Sequence, residues 1–129
     1  MASQSNTNEA VYRHPMFSGR SGRGFGVVVV RGRSMEPTLH DGDRLLVRWG
    51  RRRARAGAVA VVRLPDRPPA IKRLAFREPD GWWVERDNPA VGADSWQLGT
   101  VPDGDLVGVA VARLAPSPGR IPRAPSGQT

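Results

Sequence analysis

The sequence predicts a mostly β fold, and three observations carry that expectation. Its apolar residues gather in short runs of Val, Leu and Ala. Six such runs recur between residues 24 and 114, each bounded by Gly, Pro or Asp turn residues. None is long enough, or spaced suitably, for an extended amphipathic helix.

Taken in order, residues 1–23 are polar and Gly/Ser/Arg-rich, with Ser18-Gly19-Arg20-Ser21-Gly22-Arg23 almost repetitive. They are expected to form a flexible arm. A β-branched run over residues 25–31 predicts the first strand and ends at Gly32. One helical turn is expected over residues 36–40, where Pro37 suits a first helical position. A strand over 43–48 follows the Asp41-Gly42 turn. Residues 57–64 form a run of the fully buried type, closed by Pro65. The strand over 70–76 carries Lys72. Residues 81–86, with Trp82 and Trp83, follow the turn Pro79-Asp80-Gly81, and residues 106–114 complete the set. Residues 115–129 contain Pro116, Pro118, Pro122 and Pro125 and are expected to be a disordered tail. The organisation expected is therefore an arm (1–23), one domain (24–114) and a Pro-rich tail (115–129), with 129 residues sufficient for one modest core.

Composition removes several function classes. The chain has no cysteine, so disulfides, thiolate nucleophiles and cysteine-based zinc sites are excluded. His14 and His40 stand in no metal-ligand motif, and neither a metal nor a cofactor is expected. No apolar stretch approaches the roughly 20 residues of a membrane span or the about 7–15 of a signal sequence core. The expectation is a soluble, cytoplasmic protein. A net charge of +8 favours anionic partners in general. Its arginines, however, are scattered through strands and tails, which reads as general composition.

Lys72 is the only lysine, all the other Lys/Arg positions being arginine. Arginine does not give up its proton in proteins, so a neutral amine for chemistry must come from Lys72 or the chain's own amino terminus. Upstream, Ser34 lies where a predicted strand enters a turn. A serine hydroxyl needs a base to become a nucleophile. Bringing a lysine from about 10.4 to roughly 7–8 costs about 4 kcal/mol, which desolvation in an apolar pocket can supply. Within a strand, Ala70, Lys72 and Leu74 share one face while Arg73 points to the other.

An ordered series of motifs sharpens this reading. Ser34-Met35-Glu36-Pro37-Thr38-Leu39, Asp41-Gly42-Asp43, Ile71-Lys72-Arg73-Leu74, Arg86-Asp87-Asn88, Ala93-Asp94-Ser95 and Val107-Gly108 resemble, in order, the blocks of the signal peptidase I / LexA superfamily of serine–lysine peptidases. The resemblance implies coiled β-sheets of the signal peptidase/LexA catalytic-core type, with the dyad in a surface groove. It implies Ser34 as nucleophile, its backbone N–H helping to form the oxyanion hole, and Lys72 as general base. Gly32, Met35, Glu36 and Pro37 would contact substrate, and Asp87, Asn88, Asp94 and Ser95 would support the site. Two serines found in many members are replaced here by Gly32 and Gly92, which leaves a second oxyanion donor and the group that orients Lys72 unidentified. The Trp82–Pro89 stretch, the small size and the lack of an anchor segment are most similar to the branch that matures nickel-type superoxide dismutase. That similarity implies a protein precursor as partner, the leader of nickel superoxide dismutase, with no membrane span; oligomeric state is left open.

Two alternatives remain. One is a self-cleaving regulatory domain of the LexA or phage-repressor kind. The sequence offers Ala56-Gly57, downstream of Ser34, and no upstream bond of that type. The other is a non-catalytic nucleic-acid-binding β-domain using residues 51–55, Trp49, Trp82, Trp83 and Trp96. It is disfavoured because residues 51–55 read as a solvated loop and the tryptophans as core. Asp41 and Asp43 read as turn residues around Gly42, and His40 as a turn residue without a carboxylate partner.

Overall fold

A computed structural model describes residues 10–12, 24–65, 67–91 and 98–122. Seven strands form one sheet: β1 (Ala10–Tyr12), β2 (Phe25–Val30), β3 (Arg44–Trp49), β4 (Val59–Leu64), β5 (Arg67–Glu78), β6 (Gly81–Glu85) and β7 (Leu106–Ala115). Their order is β1-β2-β3-β7-β4-β5-β6, and every pairing is antiparallel. The mostly β class expected from the sequence is what the chain adopts. β1 lies near β5 although four strands separate them in the sheet order, so the sheet curls strongly. Extra residues along β5 and β7 shift the register and supply the bends that such coiling needs.

The curl creates two core clusters. One holds Val28, Val30, Met35, Leu39, Leu45, Val47, Trp49, Val59, Val61 and Ile71. The other holds Ala60, Val62, Leu64, Ala70, Leu74, Trp82, Val84, Val101, Leu106 and Val109. Neighbouring residues of β4 alternate between them, Val59 and Val61 entering the first and Ala60, Val62 and Leu64 the second. β5 does the same with Ile71 against Ala70 and Leu74. Both faces of this hairpin are buried, which is why its sequence reads as a near-continuous apolar run.

Several boundaries differ from expectation. β1 lies within the stretch read as an arm and pairs with Val28–Val30; three residues are too few for periodicity to register. β5 starts earlier than residue 70. Pro68 and Pro69 fall where the register slips between the Leu64–Arg67 and Val62–Ala70 pairs, a place where a missing N–H is tolerated. The single turn expected over residues 36–40 begins one residue earlier, where Leu39 N–H donates to Met35 O at 2.9 Å, and it does not extend into a longer helix. The first part of the tail read as disordered is held in place. Arg113 and Gly119 exchange backbone hydrogen bonds of 2.9 and 3.0 Å, and Arg113 Nε donates to Ser117 O at 2.8 Å. Ile121 packs against the first cluster. Composition could not reveal this, because the partners are the backbone and side chain of Arg113 on β7 and the Arg73 side chain on β5.

The 3-10 turn Asp103–Asp105 is tied to β5 by an exposed Arg77–Asp103 ion pair. The hydrogen bond from Arg77 holds the Asp103 carboxyl below its ordinary value.

Trp49 crosses the sheet where two glycines make room. A methyl group at Gly26 would overlap its indole ring, and one at Gly108 would press on Val47 Cγ1 at 2.7 Å. Gly26→Ala is therefore expected to cost about 1–3 kcal/mol through overpacking, read as a lowered midpoint in urea unfolding. Gly104→Ala, whose methyl would meet nothing within 4 Å, should leave the midpoint unchanged.

Candidate active site

The connection from β2 to β3 carries Ser34. Asp41 Oδ1 accepts from Gly32 N–H at 2.8 Å, and Gly42, at φ +94°, donates its N–H to Val30 O at 2.8 Å. Asp43 Oδ2 accepts from His40 N–H at 2.9 Å. Both aspartates thus serve the turn. His40 is exposed.

Within the turn, Met35 and Leu39 are fully buried in the first cluster. Met35 was expected to line a substrate groove; here its flexible thioether chain fills core space and anchors the turn. Ser34, its neighbour, is 0 % exposed, and its Oγ has no hydrogen-bond partner among the described residues. A buried hydroxyl without a partner is uncommon and costs stability. Glu36 is partly exposed and pairs with Arg33 at 3.5 Å, while Pro37 is exposed.

β5 carries Lys72 opposite Ala60 of β4. Lys72 is 1 % exposed, between Ala70 and Leu74 along its strand face, both fully buried. Arg73 takes the opposite face, as strand alternation requires, yet it is also buried at 3 %. There it forms a buried ion pair with Asp87. Its Nε donates to Asp87 Oδ1 at 3.1 Å and its Nη2 to Asp87 Oδ2. Thr38 Oγ1 donates to Asp87 Oδ2 at 2.6 Å.

Asn88 completes the connection. Its backbone N–H donates to Ser34 O at 2.8 Å, and its side-chain Nδ2 donates to Arg33 O at 2.9 Å. The Asp87-Asn88 dipeptide therefore ties the turn bearing Ser34 to the strand position next to Lys72. A second tether is apolar: Met35 and Ile71, the chain neighbours of Ser34 and Lys72, share one core cluster.

Asp94 and Ser95 lie outside the described residues, as does Trp96. Sequence reasoning missed the part played by Thr38 and Arg73. The usable signal was the apolar run of β4: a strand buried on both faces forces any charged residue on it or its hairpin partner to find a counter-charge. Trp49 and Trp82 are buried, and Trp83 is half-buried and stacked on Phe76 with ring centroids 5.6 Å apart. Among the described residues, no group of three or more His, Asp or Glu could hold a metal ion. No helix there is long and apolar enough to cross a membrane.

The profile of the Peptidase S24-like family matches residues 1–111, and the chain belongs to that family. Neither the curated proteins nor the solved structures contain a significant match.

Removing one member of a buried ion pair leaves the other charge uncompensated. Asp87→Ala is expected to destabilise the fold by about 3–5 kcal/mol, measured by urea denaturation. Replacing Arg73 and Asp87 together with leucine should cost markedly less than either single change, because no charge is then stranded.

Proposed function

We propose that this member of the Peptidase S24-like family is a serine endopeptidase in which Ser34 is the nucleophile and Lys72 the general base. The observation that carries the reading is the enclosure of the motif serine and the chain's one lysine, on segments joined through Asp87 and Asn88. Enclosure strips water from an ammonium group, which is the condition a lysine base requires. The unpartnered Ser34 Oγ has no hydrogen bond to lose on attack.

In the proposed reaction Lys72 Nζ, as the neutral amine, takes the Ser34 Oγ proton while Oγ bonds to the scissile carbonyl carbon. The resulting oxyanion is held by backbone N–H groups, that of Ser34 among them. Collapse expels the amine leaving group, which receives the proton from Lys72, and water then releases the acyl group from Ser34. Asp87 and Asn88 position the turn and stay outside the bond-making steps. Gly32 N–H is bonded to Asp41, so it serves the oxyanion only if that bond is exchanged.

We further propose that the substrate is another protein, with the leader of a nickel superoxide dismutase precursor as the specific candidate. Cleavage between molecules is favoured over self-cleavage by the state of the Ala56-Gly57 bond. The N–H of this peptide, on Gly57, donates to Leu74 O at 2.8 Å, and the oxygen of the next peptide, Gly57 O, accepts from Arg73 Nη1 at 2.9 Å, so the bond is held in the fold from its C-terminal side.

Incubating the protein with that precursor and weighing the products by mass spectrometry tests the assignment; a new N-terminus is expected at the leader boundary. Ser34→Ala and Lys72→Arg should each lower cleavage by roughly four orders of magnitude or more. Lys72→Met, which fits an apolar site, separates loss of the base from disturbed packing. Activity should rise with pH as the amine loses its proton. Full activity in Lys72→Met, or a flat profile from acid to alkaline pH, would remove Lys72 from the mechanism. An intact precursor beside cleavage of other unfolded proteins would remove the substrate and leave the dyad.

A further inference from the structure

The loop joining β3 to β4 borders a cleft of about 750 Å³ that the peptidase reading does not use. Arg53, Arg55 and Arg120 stand around it, all exposed, and their guanidinium groups make no hydrogen bond or ion pair among the described residues. Arg73 also reaches it, with its charge already matched by Asp87. Among the described residues, no carboxylate lines the cleft. Its remaining wall is aliphatic, with Ala58, Ala110, Val111 and Ile121 half-buried there.

We propose that this cleft is a docking site for an acidic polypeptide segment of a partner protein, one that also carries aliphatic side chains. Three unmatched guanidinium groups around a partly desolvated hollow favour carboxylates, which they can bind through paired N–H groups. The aliphatic wall accepts Leu or Val side chains between the acidic ones. The loop is already shaped for this: Ala54 N–H donates to Arg51 O at 3.0 Å and Ala58 N–H to Arg55 O at 3.1 Å. A pre-formed backbone lowers the ordering cost of binding.

Other occupants fit less well. Among the described residues no aromatic side chain lines the cleft, so single-stranded nucleic acid would lack a stacking platform there. A second copy of the chain brings a net charge of +8. Residues 123–129 of the chain itself contain an arginine and no Asp or Glu. On the peptidase reading the partner is the substrate, and that clause alone rests on the reading. A second hollow of about 380 Å³, lined by Pro37, Thr38, His40 and Arg113 among others, shares Pro122 with the cleft. The bound segment would therefore lie beside the turn that carries Ser34.

Fluorescence anisotropy of the intact chain tests the proposal with three labelled probes: a short peptide of Glu, Leu and Gly, its counterpart with every Glu replaced by Gln, and an oligothymidylate. The Glu peptide should bind and weaken with added salt. The Gln counterpart, and the Glu peptide on Arg53→Gln/Arg55→Gln/Arg120→Gln protein, should each bind about tenfold more weakly or worse, as three lost charge contacts predict. Replacing the same arginines with Glu should transfer preference to a Lys/Leu/Gly peptide, a gain that misfolding cannot imitate. Equal binding of the Glu and Gln peptides, no binding of either, or unchanged binding by the substituted protein overturns the proposal. Oligothymidylate binding that is tighter than the peptide's and lost in the same variant would assign the cleft to nucleic acid instead. None of these readouts requires Ser34 or Lys72, so a failure here and a failure of the dyad are distinguishable.

Discussion

A guanidinium and a carboxylate, each almost sealed from water, meet on the face of β5 opposite Lys72. Burying either charge alone would cost several kcal/mol, and their attraction offsets that only if the remaining polar atoms are also satisfied. The Arg73 guanidinium has five N–H groups. It makes five contacts: two to Asp87, one to Thr38 Oγ1 and one each to the carbonyls of Gly57 and Pro122. Those acceptors come from four separate parts of the chain. The turn of Thr38, the loop before β4, the segment after β6 and the start of the tail are thereby fixed to one side chain.

Everything proposed for Ser34 depends on that junction. Ser34 sits in a turn, and a turn has no strand ladder to set its position. Two groups do so instead: Met35, sunk in the core, and Asn88, which caps the carbonyls of Arg33 and Ser34. Asn88 can hold them only because Asp87, one residue earlier, is held by Arg73. The alternation of β5 then has a useful consequence. Arg73 needs a polar, fully satisfied environment on one face, while its neighbour Lys72 is turned toward the other, where Ala70 and Leu74 are fully buried. A strand buried on both faces permits this separation; a strand with one wet face would place one of the two basic groups in water.

Much of the strand framework was legible because β2, β3, β4 and β7 are apolar runs closed by Gly, Pro or Asp, and such runs have few other folds available. β1 was not legible, since Ala-Val-Tyr is too short to show a period. The early start of β5 was hidden by Pro68 and Pro69, which read as a break until the register slip is seen to absorb them. Within the site, Ser34 and Lys72 stood out by motif and by the rarity of lysine. Thr38 and Arg73 did not: the doubly buried hairpin implied a counter-charge, but nothing in the sequence singled out Asp87, 14 residues from Arg73 and 49 from Thr38. Met35 was legible only in part: its place beside the serine suggested a role toward substrate, and its burial in the first cluster as an anchor of the turn was not visible from that place. The holding of residues 115–122 was invisible to composition, being the work of Arg73 and Arg113 on the sheet.

The enclosure of both candidate groups also bears on how specificity would be divided. With Ser34 at 0 % exposure and Lys72 at 1 %, a peptide reaches Oγ only when neighbouring residues make way. Neither side chain lines the arginine cleft or the hollow beside it. Binding energy gained in an outlying cleft is therefore energy available for opening the covered site, and only a protein presenting both the docking segment and a cleavable bond would supply it. An enzyme arranged this way discriminates first by charge in the cleft and second by fit at the nucleophile. A shallow, open dyad would have to rely on the second alone. The same burial that favours a neutral lysine also withholds it from casual substrates, so activation and selectivity would follow from one packing arrangement.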